Sequence, residues 1–234
     1  MEWIDIGLVL GVRRHGEGSG VLEAMTHDHG RHFGLVRGAR SPRSAATMQP
    51  GNLVKLVWRA RLDEHLGAYQ VEPLAMRAGR LIDSAKTLAG LNLVVALLRL
   101  APERDPHTAW FAAAEATLDA LETPLGPRAL AAFEMLTLRE CGFDLDLESC
   151  AATGSRENLV YVSPRSGRAV SAEAGEAWKA RLLKLPRFLV DDSVAASADE
   201  VRDAFALTGF FLARDVFAPR GLALPEARRT FAEG

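Results

Sequence analysis

The chain opens its first apolar run with Ile4-Asp-Ile-Gly-Leu-Val-Leu-Gly-Val12, and the stretch from there to Leu74 decides the fold. Turn residues such as Gly, Asn, Asp and Pro bound each run. Runs of six to nine residues with this punctuation are typical of strands, and five of them predict a small antiparallel barrel. A five-stranded barrel of this size is an OB-fold, whose face and loops bind oligonucleotides. The runs cover residues 4–12, 21–26, 31–37, 53–60 and 66–74.

Helical periodicity replaces the strand pattern after the barrel. Residues 82–100 are apolar on all sides and predict a buried helix. Asp105-Pro106 predicts the start of a second helix, Pro127 opens a third that stops at Gly142, and a capping box from Ser197 precedes the last. We therefore predict an α+β chain with two domains: an OB-fold nucleic-acid-binding domain over residues 1–80 and an α-helical domain over residues 81–234.

A non-helical island interrupts the helical domain at residues 144–170. Its apolar run at residues 159–162 and the turn at residues 163–167 predict a hairpin. Cys150-Ala-Ala-Thr-Gly154 is similar to a zinc knuckle, but Thr153 stands where a second cysteine would be. A structural zinc site needs four Cys or His ligands, so we expect a degenerate knuckle without metal.

Charge is distributed unevenly along the chain. Residues 1–80 contain eleven Arg or Lys and eight Asp or Glu, a net charge of +3, whereas the rest carries −5. Residues 33–61 contain no acidic residue at all. A stretch of one sign on a barrel suits the neutralisation of a phosphate backbone, although a solvated loop has the same composition. The candidate DNA-binding residues are Arg13, Arg14, Arg31, Arg37, Arg40, Arg43, Lys55, Arg59 and Arg61.

Three aromatic residues lie within the predicted strands: Phe33, Trp58 and Tyr69. Rings on the surface of a barrel stack on nucleic-acid bases, and rings inside it fill the core. The sequence leaves both interpretations open for each of them.

Enzymatic chemistry finds little support in the sequence. His27, His29 and His32 fall close together beside Asp28, and this grouping allows a metal-dependent hydrolase as an alternative. Gly30 instead favours a solvated turn at that point. The phosphate-binding loop of nucleotide-hydrolysing enzymes is missing, so we predict neither an enzyme nor a cofactor.

Two cysteines form no disulfide framework, and no run reaches the length of a membrane span. We expect a cytoplasmic protein that makes no contact with a membrane and lies with the nucleoid when it is bound to DNA.

Four features in order resemble the bacterial RecO family of recombination mediators. They are the Gly16-Glu-Gly-Ser-Gly20 turn, the Gly38-Ala-Arg-Ser-Pro-Arg43 loop, the apolar helix after Ala75-Met-Arg77, and Cys141-Gly-Phe-Asp-Leu-Asp-Leu-Glu-Ser-Cys150-Ala-Ala-Thr-Gly154. The similarity spans the chain. Some family members carry a four-cysteine zinc site at the last phrase, and this sequence departs from them there.

The resemblance implies a non-enzymatic DNA repair protein. Such a protein binds single- and double-stranded DNA, anneals complementary strands and, with RecR, helps RecA onto DNA coated by single-strand-binding protein. It also implies a pocket for the acidic tail of single-strand-binding protein, for which Lys184 and Arg187 are candidates among apolar neighbours; a core segment with exposed charges is the alternative. An OB-fold RNA-binding module shares the barrel and its charges, and it remains the alternative function.

Overall fold

The computed structural model describes residues 1–191 and 193–233. The chain divides into two compact units, Met1–Pro124 and Leu125–Gly234. The first unit contains the barrel and four helices, and the second contains helices and a small sheet. Within the described residues, no helix is long and apolar enough to cross a membrane.

Five strands close the N-terminal barrel, as predicted, and their order in the sheet is β1-β2-β3-β5-β4. β1 is long enough to pair with β4 through its first half and with β2 through its second half, and the register shifts between Val9 and Gly11. β3 and β5 meet at a single parallel pair, Leu35 and Ala68. The strands are β1 (Glu2–His15), β2 (Ser19–Thr26), β3 (Gly30–Val36), β4 (Leu53–Arg59) and β5 (Ala68–Ala75).

A short helix, α1 (Pro42–Thr47), interrupts the connection between β3 and β4, where the sequence analysis expected only a loop. The Ser41 hydroxyl accepts a hydrogen bond from the Ser44 amide at 3.2 Å, and Pro42 occupies the first turn. These are ordinary helix-start residues. Asn52, which is fully buried, holds α1 in place by donating to the carbonyls of Ala46 and Thr47 at 2.9 and 3.1 Å.

Three helices complete the first unit: α2 (Ala78–Leu81), α3 (Ala85–Leu98) and α4 (Thr108–Ala120). α3 is the buried helix that the sequence predicted. The expected helix start at Asp105-Pro106 was wrong, because this segment lies along β3. There the Arg104 amide donates to the Arg31 carbonyl at 2.9 Å, and α4 begins only afterwards.

A buried carboxylate joins the barrel to the end of α3. Glu23 is 3% exposed, and its two oxygens accept from Arg31 Nη1 and Arg99 Nε, each at 2.9 Å. The two guanidinium groups also donate to the carbonyls of Ala101 and Leu10. The predicted domain division after residue 80 stays a prediction, but α2, α3 and α4 pack in the same compact unit as the barrel.

We expect Glu23→Ala to lower the free energy of unfolding by about 3 kcal/mol, because two partly buried guanidinium groups lose their shared carboxylate. Urea unfolding followed by circular dichroism measures it. Glu72→Ala is the control, since Glu72 forms an exposed pair with Lys55 and such pairs contribute at most about 1 kcal/mol. Equal effects of the two substitutions would contradict a structural role for the Glu23 network.

The second unit begins with α5 (Gly126–Glu140), which ends before Gly142 as predicted. The predicted hairpin is β6 (Leu159–Val162) with β7 (Ala169–Ser171), and β8 (Leu183–Lys184) extends it to a sheet. The capping box at Ser197 starts α7 (Ala198–Phe211), also as predicted. The strand β8, the helix α6 (Ala172–Gly175) and the C-terminal helix α8 (Glu226–Glu233) were not predicted from the sequence.

Candidate nucleic-acid interface

Several of the predicted arginines gather at one end of the barrel. Gly20 of β2 pairs with Arg14 of β1 on one side and with Val36 of β3 on the other. The β1–β2 turn therefore lies next to the chain that follows β3. Arg40 bridges them by donating to the Glu17 carbonyl at 3.0 Å. We call this set of five residues the basic end: Arg13, Arg14, Arg37, Arg40 and Arg43.

Most of these cations have no carboxylate to neutralise them. Arg13, Arg14, Arg37 and Arg43 are exposed, and none of them forms an ion pair or a side-chain hydrogen bond within the part of the chain that the structure describes. Arg61, in the β4–β5 connection, is in the same situation. Exposed cations without protein partners are free to contact phosphate groups.

The structure places the other three predicted cations in ion pairs. Arg31 donates to the buried carboxylate of Glu23, so its role is structural and the predicted contact with phosphate was wrong. Lys55 lies 3.3 Å from Glu72, and Arg59 binds Glu2 through two nitrogens at 2.8 and 2.9 Å. Sequence reasoning missed these carboxylates because they come from neighbouring strands. Exposed pairs are weak, so a contact of Lys55 and Arg59 with phosphate stays a prediction.

A cleft of about 590 Å³ lies beside the basic end, between β5 and α1. Arg37, Arg43 and Arg59 are among the residues that line it, and so are the apolar residues Val57 and Pro73. Its volume falls within the range of small-molecule sites. Of its strand residues, the sequence indicated Arg59 as a DNA-binding candidate but not Val57 or Pro73, although the alternation of apolar and polar residues along β4 was an available signal for Val57.

Two of the three predicted stacking residues prove to be core residues. Trp58 is fully buried and donates from Nε1 to the Leu66 carbonyl at 3.0 Å. Tyr69 is 4% exposed, and its hydroxyl lies 3.0 Å from His32 Nδ1. No ring face of either residue is open to a base, so their predicted stacking role was wrong. Glycines make room for the rings, since a Cβ on Gly34 would lie 2.3 Å from the Tyr69 ring.

Phe33 remains a candidate for stacking. It lies on the outside of β3, half-buried, with the Arg31 guanidinium 5.4 Å from the centre of its ring. When an arginine covers one face of an aromatic ring, a base can stack on the opposite face. The structure leaves this role a prediction.

The three histidines do not converge on one metal site. His27 Nδ1 contacts Asp28 at 2.6 Å and His29 Nδ1 contacts Asp5 at 2.9 Å, whereas His32 lies inside the barrel. Burial, with the nearby charge of Arg104, lowers the pKa of His32 to about 4. The turn predicted at Gly30 explains the divergence, since this glycine adopts a φ of +66°.

A different trio brings one ligand atom each within 4.8 Å of one another: Asp5, His27 and Asp28. Both oxygens of Asp5 already accept hydrogen bonds, from the Ile6 amide at 2.8 Å and from the Asp28 amide and His29 at 2.9 Å. The carboxylate is therefore satisfied within the protein, and the arrangement stabilises the turn after β2.

The non-helical island at residues 144–170 contains one buried cysteine, Cys150, whose sulfur accepts a hydrogen bond. The donor is the Ser171 amide, 3.3 Å from Cys150 Sγ. Thr153 uses its hydroxyl to accept from the Ser155 amide at 3.3 Å. No group of potential metal ligands within residues 1–191 and 193–233 includes Cys150.

We expect a chelator such as EDTA to leave the melting temperature of the protein unchanged, because hydrogen bonds take the place of metal ligands in the island. Differential scanning calorimetry measures this, and elemental analysis of protein purified without added zinc accompanies it. Stoichiometric zinc, or a lower melting temperature after chelation, would show that the island holds a metal.

Lys184 and Arg187 lie in a segment whose apolar side chains are buried in the core of the second unit. Leu185 and Phe188 are buried, and Lys184 pairs with Asp203 of α7 at 3.0 Å. Arg187 is exposed close to the carboxylates of Asp191 and Glu200. This arrangement matches the alternative of a core segment with exposed charges, and the tail-binding role of these two cations stays a prediction.

Known proteins place the whole chain in one family. The family profile described as "Recombination protein O N terminal" matches residues 1–77, and "Recombination protein O C terminal" matches residues 83–222. The chain belongs to the RecO family. The first match covers the OB-fold barrel and its basic end, and the second begins just before α3.

Curated RecO proteins are similar over nearly the full length. "DNA repair protein RecO" of Chelativorans sp. (strain BNC1) is 55% identical over 233 residues, which are 99% of this chain and 94% of the relative. The protein of the same name from Methylobacterium nodulans is 54% identical over 237 residues, 99% of this chain and 96% of the relative. The one from Xanthobacter autotrophicus is 53% identical over 232 residues, with 99% and 96% covered.

Proposed function

We propose that this RecO-family chain is a DNA-binding recombination mediator that anneals complementary single strands and acts without catalysing a reaction of its own. The observation that carries the proposal is the basic end, where exposed arginines without carboxylate partners adjoin the cleft between β5 and α1. Membership of a family whose relatives are named for DNA repair supports DNA as the polyanion.

In this proposal the arginines bind the phosphate backbone and the cleft binds a base. The guanidinium groups of Arg37 and Arg43 neutralise phosphates and release their counterions, which provides affinity independent of sequence. The cleft between them takes up a base from an unstacked strand. Annealing benefits because two strands approach each other with less repulsion when a protein neutralises part of the backbone charge.

An OB-fold RNA-binding module is the second candidate, because the same barrel and charges suit both polymers. Fluorescence anisotropy with labelled single strands of one sequence, as DNA and as RNA, separates the two. We expect DNA binding at least as tight as RNA binding, together with annealing of the DNA strands. RNA binding well above DNA binding, without annealing, would favour the second candidate.

The partners implied by the family are part of the proposal: RecR, the C-terminal tail of single-strand-binding protein, and through them RecA. An acidic tail with an apolar end requires a cation beside an apolar pocket, for which Lys184 and Arg187 are the candidates. Anisotropy of a labelled tail peptide decides between them and another pocket. If a Lys184→Ala/Arg187→Ala variant binds the peptide as tightly as the wild type, the pocket lies elsewhere.

A further inference from the structure

The second unit contains a buried carboxylate that α5 cannot satisfy by itself. Glu134, in the middle of α5, is fully buried and faces α7. On α7 the Thr208 hydroxyl donates to its Oε2. A buried carboxylate requires a cation as well as hydrogen bonds, and here the cation comes from outside the two helices.

The C-terminal helix α8 supplies that cation. Arg228 donates to Glu134 through Nε at 2.7 Å and through Nη2 at 3.1 Å. Its Nη2 also donates to the Phe205 carbonyl, and its guanidinium lies 5.3 Å from the centre of the Phe205 ring. Phe231, three residues further along α8, is 2% exposed, and its ring meets Phe205 edge-on at 6.2 Å.

The guanidinium of Arg228 packs directly over the backbone of α7 at Gly209. A Cβ at this position would lie 2.6 Å from both terminal nitrogens of Arg228, so the guanidinium would have to shift to make room for it. We call this site the α5–α7 groove and define it by Glu134, Phe205, Thr208 and Gly209. It recognises two side chains that are three residues apart on one face of a helix.

Apart from Arg228 and Phe231, α8 and the connection that leads to it are mostly exposed. Its eight residues follow an irregular, mostly exposed connection at residues 221–225, and Glu226, Arg229 and Thr230 face solvent. The family profile ends at residue 222, before this helix begins. A helix of this length has little stability by itself, so its position depends on the contacts of Arg228 and Phe231.

We propose that the α5–α7 groove is a helix-docking site that α8 occupies within the chain, and that its external ligand is an amphipathic helix of a partner protein with Arg and Phe three residues apart. Such a helix reproduces every contact of α8 and displaces it. An acidic tail does not fit, because it lacks the arginine that donates to the Glu134 carboxyl group. This site therefore differs from the pocket expected for single-strand-binding protein, and the inference does not depend on DNA binding.

The test uses a fluorescein-labelled peptide of residues 222–234 and the full-length chain. In the wild type, α8 is tethered to the groove at a high effective concentration and outcompetes the peptide. In an Arg228→Ala/Phe231→Ala variant the groove is open, so we expect the peptide to bind at least about tenfold more tightly than to the wild type. A peptide with Ala at both of these positions should not bind, and Arg229→Ala is the matched control that leaves the wild-type behaviour unchanged.

Hydrogen exchange provides the second measurement, should the double variant fail to fold. In the wild-type chain we expect the amides of α8 to exchange faster than those of α5 and α7, and faster still with millimolar unlabelled peptide. Failure of the peptide to bind a folded double variant would overturn the proposal. So would α8 amides that exchange as slowly as those of α5 and α7 and do not respond to the peptide.

Discussion

Replacing Arg37, Arg40 and Arg43 together by Ala should weaken the binding of single-stranded DNA and reduce its dependence on salt. Each arginine that contacts a phosphate contributes about 0.7 to the slope of log affinity against log salt for single strands, so three contacts should reduce that slope by about 2. The structure adds a reason to choose these residues, since Arg37 and Arg43 line the cleft. Anisotropy titrations of a labelled oligonucleotide over a range of salt concentrations measure both quantities.

The matched control removes three positive charges from the second unit. Arg139, Arg156 and Arg165 are all exposed there, and replacing them by Ala changes the net charge by the same amount. We expect this control to keep most of the salt dependence. If the two triple variants lose affinity equally, the effect is one of overall charge and the basic end is not the contact surface.

Trp58→Ala should destabilise the first unit by about 4 kcal/mol. The substitution empties the largest side-chain position of the barrel core, and Phe or Trp to Ala changes in cores cost about 3 to 5 kcal/mol. It also leaves the Leu66 carbonyl without the indole donor. Urea unfolding followed by far-ultraviolet circular dichroism measures the loss.

Trp178→Ala is the matched control, because the Trp178 side chain is 58% exposed. Its removal should change the free energy of unfolding by about 0.5 kcal/mol or less. A Trp58→Ala variant as stable as the wild type but defective in DNA binding would contradict the core position and restore the stacking interpretation.

Local sequence patterns were enough to predict the barrel and the four longest helices, α3, α4, α5 and α7. Apolar runs bounded by turn residues predicted the strands, and local signals such as the Ser197 capping box predicted helix ends, since both depend on near neighbours. The start of α4 was misplaced because Arg104 pairs with Arg31 of β3, a contact between residues far apart in the chain. No local pattern encodes that pairing.

The candidate site was less predictable for the same reason. A sequence without acidic residues over positions 33–61 suggested six free cations, yet Arg59 pairs with Glu2 and Lys55 pairs with Glu72 on neighbouring strands. Trp58 and Tyr69 fit either face of a strand until the register is known. What the sequence could predict was the loop from Arg37 to Arg43, because consecutive residues remain neighbours in any fold.

The most direct test of a role in mediating recombination is the annealing of two complementary DNA strands that are both coated with single-strand-binding protein. The rate of duplex formation, followed by energy transfer between dyes on the two strands, is compared for the wild type and the Arg37→Ala/Arg40→Ala/Arg43→Ala variant. We predict that the wild type accelerates annealing and that the variant is slower by at least about tenfold. A wild-type chain without effect on coated strands, or a variant as fast as the wild type, would contradict this role for the basic end.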